Sequence, residues 1–170
     1  MEFTKLLRKR VVWGCLCAGV LAAALFPQAN VSAQGADADN PVDITFTKWI
    51  TAYPLMSGFT GGDASGVFVG EVLQRQVSVN PGLNSIVRLE AVYEVHAGDR
   101  SFTALIRGGT NNVTGEAVLD GTILAGWRTG APIHVTFQTV PGAVGCLGAP
   151  IGLTCFEGTI HVSRVPTAKN

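Results

Sequence analysis

Residues 86–96 read IVRLEAVYEVH, and this stretch decides the fold class. Every second position is apolar, namely Val87, Leu89, Ala91, Tyr93 and Val95. Most of the positions between them carry charged side chains or His96. A period of two is typical of a β-strand with one buried face and one face in water, so the stretch predicts a strand.

The same alternation recurs along the chain, with Gly-rich turns between the runs. The further runs are residues 44–51, 66–77, 102–107, 131–140 and 155–165, with another strand ending near residue 124. No long window after residue 33 has apolar residues at the spacing of an amphipathic helix. Short strands at regular spacing predict an all-β fold, a small antiparallel β-barrel of seven to eight strands. A β-sandwich is the alternative.

Composition excludes two classes of protein. The chain has 170 residues, with 12 Lys+Arg against 12 Asp+Glu, and only 14% of its residues are charged. Such a chain offers no basic stripe that could release counterions from phosphates, which argues against a nucleic-acid partner. A hydrophobic share of 47% also argues against intrinsic disorder.

The N-terminal segment has the pattern of an export signal. Basic residues at positions 5–10 precede an apolar run over 11–26, and Val31-Ser32-Ala33 follows as a small-x-small cleavage site. The run is shorter than the roughly 20 residues that span a bilayer, which disfavours a membrane anchor. Lipidation at Cys15 or Cys17 is disfavoured because both lie inside the run. We expect a secreted protein with no membrane span after signal removal.

This interpretation divides the chain into four parts. Residues 1–33 are the predicted signal peptide and residues 34–43 a flexible leader. The β-barrel domain is expected over 44–165, followed by a tail over 166–170.

Two cysteines follow the signal segment, Cys146 and Cys155. In an oxidising compartment an even pair predicts one disulfide, which here would close a Gly/Pro-rich loop. A metal pair or redox couple is the alternative, but the spacing is not that of a CxxC motif. The loop over 141–154 is long enough to gate the mouth of a barrel, and we expect it to do so.

Two histidines on the last two predicted strands raise the question of a metal site. If these strands pair so that facing residue numbers sum to 295, His134 faces His161 on the polar side. Two imidazoles could share a metal, but a useful site needs three or four ligands. His96 lies on another strand. We therefore expect surface histidines, no metal and no cofactor.

A charged pair on one strand suggests a polar group inside the barrel. Over residues 67–77, Glu71 and Arg75 share a face with apolar residues. If that face points inward, Glu71, Arg75 and Tyr93 are candidate ligand-binding residues, and Glu71 and Tyr93 are candidate catalytic acid/base groups. Alternatively Phe68 and Val72 define the core face and Glu71 faces water. A bulge at Gly70 could reset the phase, so both alternatives stay open.

Several short segments carry a resemblance to known proteins. GEAVLDG at 115–121, Gly126-Trp127, GAPIHV at 130–135 and CFEGTI at 155–160 resemble a group of bacterial secreted proteins of unassigned function. Strand rhythm and Gly placement are also similar in layout to the allene oxide cyclase and dirigent type of β-barrel, itself lipocalin-like. The resemblance implies a barrel with an apolar pocket. No residue matches those families' functional positions, so none is carried over.

Three functions fit these observations. The first is a non-enzymatic secreted barrel that binds a small apolar molecule. The second is a cofactor-free cyclase or isomerase that acts inside the barrel, with Glu71 and Tyr93 as the acid/base pair. The third is a structural or interaction module with a filled core. An interior cavity distinguishes the first two from the third.

Overall fold

The computed structural model describes residues 40–78, 85–141 and 145–166. The predicted signal peptide lies outside these residues, as do most of the predicted leader and tail. Eight strands are present: β1 (Val42–Ala52), β2 (Leu55–Gly62), β3 (Gly66–Ser78), β4 (Ile86–His96), β5 (Phe102–Asn111), β6 (Glu116–Gly126), β7 (Pro132–Val140) and β8 (Cys155–Val162). One 3₁₀ turn, Gly98–Arg100, precedes β5. No helix in the described ranges is long and apolar enough to cross a membrane.

The strands form a closed antiparallel barrel. Each strand pairs with the next along the chain, and β8 returns to pair with β1. This closure confirms the predicted barrel and excludes the sandwich alternative. Because every strand has two neighbours, the ladder leaves no open edge for pairing with another chain.

β2 is the strand that the sequence pattern did not indicate. It follows β1 after a two-residue turn, Tyr53-Pro54, whose peptide bond is cis. Within β2 the inner face is made by small and mixed side chains, Met56, Gly58 and Thr60, so the apolar alternation is weak. The strand forms because β1 and β3 both offer it a hydrogen-bonding partner.

The core lies inside the barrel and takes one inward face from each strand. Its largest fully buried apolar side chains are Tyr93, Phe68, Ile44, Ile106, Leu119, Ile123 and Ile160. Glycine permits close approach of neighbouring strands at several positions, of which Gly121 and Gly158 are two. A Cβ at Gly121 would collide with the Leu105 carbonyl oxygen, and one at Gly158 would collide with that of Thr136. Both lie inside predicted strands, as expected for positions that let a small barrel close.

β3 changes its inward face partway along its length. Phe68 and Gly70 are buried on the inner side, and Val72 packs against the core. The register with β4 then shifts between Val72 and Gln74. Beyond the shift, Arg75 pairs with Leu89, which belongs to the inner face of β4. The sequence suggested a bulge at Gly70, but the bulge lies further along, between Val72 and Gln74.

The loop before β8 packs on the outside of the barrel. Trp49, Cys146 and Cys155 form a small cluster separate from the main core, with Val140, Ala149 and Leu153 around it. Cys146 and Cys155 lie at disulfide distance, with 5.9 Å between their Cα atoms. Since this cluster buries the outward-facing Trp49, the described part of the loop covers the wall of the barrel. Thr154, the last residue of the loop, lines a cavity inside the barrel, so the gating role expected for the loop stays a prediction.

Candidate functional site

An interior cavity of about 440 Å³ opens at one end of the barrel. This end is formed by the last residues of β1, β3, β5 and β7 and the first residues of β2, β4, β6 and β8. Apolar groups make most of its wall: Ile50, Met56, Val72, Val87, Leu89, Ala91, Leu119, Phe137 and Phe156. A volume of this size suits a small organic molecule.

Lys48 is the most unusual residue of the cavity lining. Its side chain is only 1% exposed, and it shares the inner face of β1 with Ile44, Phe46 and Ile50. It is also the one lysine among the described residues, since the others in the chain are Lys5, Lys9 and Lys169. Within the described part of the chain no carboxylate forms an ion pair with it. The barrel thus places an amine without a counter-charge at the floor of an apolar cavity.

The partner of Lys48 is Tyr93. Lys48 Nζ donates a hydrogen bond to Tyr93 Oη, and Tyr93 is itself 1% exposed. Burial lowers the pKa of Lys48 well below its ordinary value of 10.5, because desolvation disfavours the ammonium form. Burial also raises the pKa of Tyr93. Both groups therefore shift toward their neutral forms, an amine beside a phenol.

Aromatic rings surround the amine. Lys48 Nζ lies 3.9 Å from the ring centroid of Phe137 and 4.4 Å from that of Tyr93. The rings of Phe46, Phe156 and Phe68 follow at 5.2, 5.7 and 5.9 Å. Ring faces attract a cation, so this cage would stabilise positive charge that develops on the nitrogen.

Polar groups stand nearer the opening. Arg75, Asn112, Thr139 and Thr154 belong to the lining, as does Thr110. Thr110 is 9% exposed and its Oγ1 has no hydrogen-bond partner within the described residues. A buried hydroxyl of this kind usually has a partner, and a bound molecule in the cavity could supply one.

The structure separates the three residues that the sequence suggested for the interior. Tyr93 lies inside, in the hydrogen bond with Lys48. Arg75 lines the cavity near its opening but is exposed. Glu71 is exposed on the outer face, paired in register with Leu55 and Val92. An interior role for Glu71 is therefore wrong, because the bulge that turns Arg75 inward comes only after it.

Lys48 was missed by the sequence analysis, although a signal for it exists. Alternation over 44–50 places Lys48 on the same face as Ile44, Phe46 and Ile50. A lysine at an inward position of a strand is rare unless it is paired. The position alone would have identified a candidate, whereas its contact with Tyr93 depends on how distant strands curve together.

The histidine pair lies on the outer face of the barrel, and each histidine is hydrogen-bonded to an aspartate. The register between β7 and β8 confirms the predicted pairing, with His134 facing His161. Each ring then bonds a carboxylate on its other side: His134 Nδ1 lies 2.7 Å from Asp120 Oδ1, and His161 Nδ1 lies 2.7 Å from Asp43 Oδ1. In the described residues no group of three or more His, Cys, Asp or Glu is arranged to hold a metal ion.

A second hollow lies on the outer wall between β3, β4 and β5, with a volume of about 560 Å³. It is lined by polar and charged groups such as Gln74, Arg88 and Glu90, and Arg107 is engaged with Glu90 at 2.9 Å. It is the more open of the two, and Glu90 and Arg107 are already paired with each other across strands. The interior cavity is the better candidate for a ligand site.

Compared with protein-family models, curated proteins and solved structures, the chain matches none. The structural class of this protein is therefore defined by its fold and its cavity alone. It is a closed eight-stranded antiparallel β-barrel with an open apolar cavity and a buried amine–phenol pair at the cavity floor.

Proposed function

We propose that this barrel binds a small, largely apolar molecule in its interior cavity. The observation that carries the proposal is the cavity itself, about 440 Å³ with an apolar wall and a few polar groups. Ligand sites of small barrels commonly have this composition, in which apolar area supplies affinity and sparse polar groups supply orientation. The likeness in layout to lipocalin-like barrels agrees with the proposal but does not carry it.

The two other sequence hypotheses have less support. A filled core would not leave a cavity of this volume, lined by residues such as Ala91 and Leu119. A cyclase or isomerase that acts inside the barrel could not use Glu71 as its acid/base group, because Glu71 is exposed on the outer face. Tyr93 remains available in the cavity, so chemistry there would need a different partner.

We also propose that the chain acts outside the cytoplasm. The N-terminal basic and apolar pattern is that of a secretory signal. Cys146 and Cys155 at disulfide distance fit an oxidising compartment, because such bridges persist mainly there.

Titration with N-phenyl-1-naphthylamine tests binding, since this uncharged apolar probe brightens when it leaves water. We expect one probe per chain, and an affinity about tenfold or more lower in Ala91→Leu, whose larger side chain fills part of the cavity. Ala125→Leu makes the same change at an exposed position of β6 and should bind like the parent chain. The proposal would be refuted if Ala91→Leu bound the probe as tightly as Ala125→Leu and the parent chain do, or if the parent chain did not bind the probe.

A further inference from the structure

We propose that the cavity takes an aldehyde or a ketone and that Lys48 binds it covalently as an imine. This inference rests on the proposed function, because it names the chemical class of the ligand for the same cavity. It is carried by the position of Lys48 in the cavity lining, by its partner Tyr93 and by the aromatic rings around its nitrogen.

Geometry makes Lys48 an available nucleophile. It belongs to the lining of the cavity, and only 1% of the residue is exposed. One N–H of Lys48 is used as a donor to Tyr93 Oη, which leaves the nitrogen lone pair free. Burial, which lowers the pKa of Lys48, increases the share of the amine that carries this lone pair near neutral pH.

The absence of a protein carboxylate beside Lys48 favours its neutral amine, which is the form that attacks a carbonyl carbon. A lysine that is kept charged in an apolar site usually has a carboxylate beside it, and none pairs with Lys48 in the described residues. The surrounding rings would still stabilise a protonated imine, whose charge is spread over nitrogen and carbon.

The reaction balances without an oxidant or a further reactant. The Lys48 lone pair forms a C–N bond to the carbonyl carbon, and the C=O π pair moves to oxygen. That oxygen takes up a proton as the nitrogen loses one, giving a carbinolamine. The C–O bond then breaks, the hydroxyl leaves as water with the remaining proton of the nitrogen, and the nitrogen forms C=N. One water is released for each imine formed.

Tyr93 is placed to assist the proton transfers. Its oxygen accepts a hydrogen bond from Lys48, so its own hydrogen remains available to the oxygen of the ligand. Burial raises the pKa of Tyr93, which keeps it protonated. Nearer the mouth, Thr110 Oγ1 is buried without a partner and could bond a second polar atom of the ligand.

Reductive trapping tests the proposal directly. The purified chain is incubated with cinnamaldehyde and sodium cyanoborohydride at neutral pH, which fixes an imine as a stable secondary amine. Intact mass and peptide mapping then compare the lysines Lys5, Lys9, Lys48 and Lys169, as far as each is present in the purified chain. We expect one adduct per chain at Lys48, formed at least about tenfold faster than in the same chain denatured in urea.

Variants inside and outside the cavity separate the possible outcomes. Lys48→Met should lose the adduct, and Tyr93→Phe should form it more slowly. Ala125→Leu, at an exposed position of β6, should form the adduct and bind N-phenyl-1-naphthylamine like the parent chain. If the parent chain binds the probe but Lys48 is modified no faster in the native than in the denatured state, the imine is refuted and the binding function stands. If the parent chain does not bind the probe, both proposals fail.

Discussion

Lys48 is a basic side chain within the apolar lining of the cavity, and its lowered pKa follows from the free energy of burying a charge. The folded barrel binds a proton at this nitrogen more weakly than the unfolded chain does, because water no longer solvates the ammonium. Tyr93 and the surrounding rings offset only part of that loss. A residue that opposes folding in this way is more easily explained by function than by stability.

The first prediction concerns the stability of Lys48→Met. A point substitution typically lowers the free energy of unfolding by about 1 kcal/mol, but we expect no loss here, since methionine fills the site without a charge. The pKa of Lys48 is lower in the folded state, so the unfolded state holds more protons at this site. The stability of the parent chain should therefore rise with pH between the folded-state pKa and 10.5.

Denaturant unfolding of both chains between neutral pH and mildly alkaline pH measures this effect. The advantage of Lys48→Met over the parent should shrink as the pH rises. Arg88→Met, at an exposed position of β4, should show a constant difference from its parent. If the difference in the free energy of unfolding between Lys48→Met and the parent were also independent of pH, Lys48 would titrate as an ordinary lysine.

At the scale of the element, β3 decides which side chains reach the cavity. Its first half turns Phe68 and Val72 inward, and the register shift before Gln74 turns Arg75 to the inner side. Glu71 precedes the shift and stays outside. The first half of β3 thus contributes apolar side chains to the core, and the residues after the bulge place Arg75 at the mouth of the cavity. Bulges commonly redirect a side chain in this way.

The second prediction follows from this division of β3. Glu71→Gln should bind N-phenyl-1-naphthylamine with unchanged affinity and alter the free energy of unfolding by less than about 0.5 kcal/mol. The reason is that the side chain is exposed on the outer wall. The probe titration and denaturant unfolding measure both quantities, and a tenfold loss of affinity would show that Glu71 reaches the cavity.

A third prediction concerns closure of the barrel at β8. In Gly158→Ala the new Cβ would collide with the Thr136 carbonyl oxygen and lie 2.6 Å from Phe137 Cβ, so β7 and β8 must move apart. We expect a loss of about 1–3 kcal/mol. In Gly61→Ala the Cβ would meet only the Thr45 hydroxyl, at 2.9 Å, which can rotate away. Similar unfolding midpoints for the two variants would contradict this account of the glycines.

At the scale of the whole molecule, the fold could be predicted largely from local pattern. Alternation in β4, β5 and β7 is regular because each strand has one face in the core and one in water. The pairing of His134 with His161 was also predictable, since a shift of one residue would have turned apolar side chains outward. β2 was not, because its inner face includes Gly58 and Thr60 and carries little apolar alternation.

The site was harder to predict than the fold, for two physical reasons. The phase of β3 depends on a bulge that hydrogen bonding to β4 selects, and no local residue pattern fixes it. The contact between Lys48 and Tyr93 joins residues 45 positions apart across the interior of the barrel. Alternation indicates which way each side chain points, but closure of all eight strands determines which inward side chains meet.

Native mass spectrometry of the chain, purified from its own source without denaturation, tests the central claim most directly. The account predicts a small bound molecule that is released on denaturation, present in the parent chain and in Ala125→Leu but absent from Ala91→Leu. An accurate mass gives the elemental composition of that molecule, which shows whether it contains the oxygen atom that a carbonyl group requires. A parent chain that shows the mass of the polypeptide alone before and after denaturation, or an Ala91→Leu variant that retains the same molecule, would contradict the account.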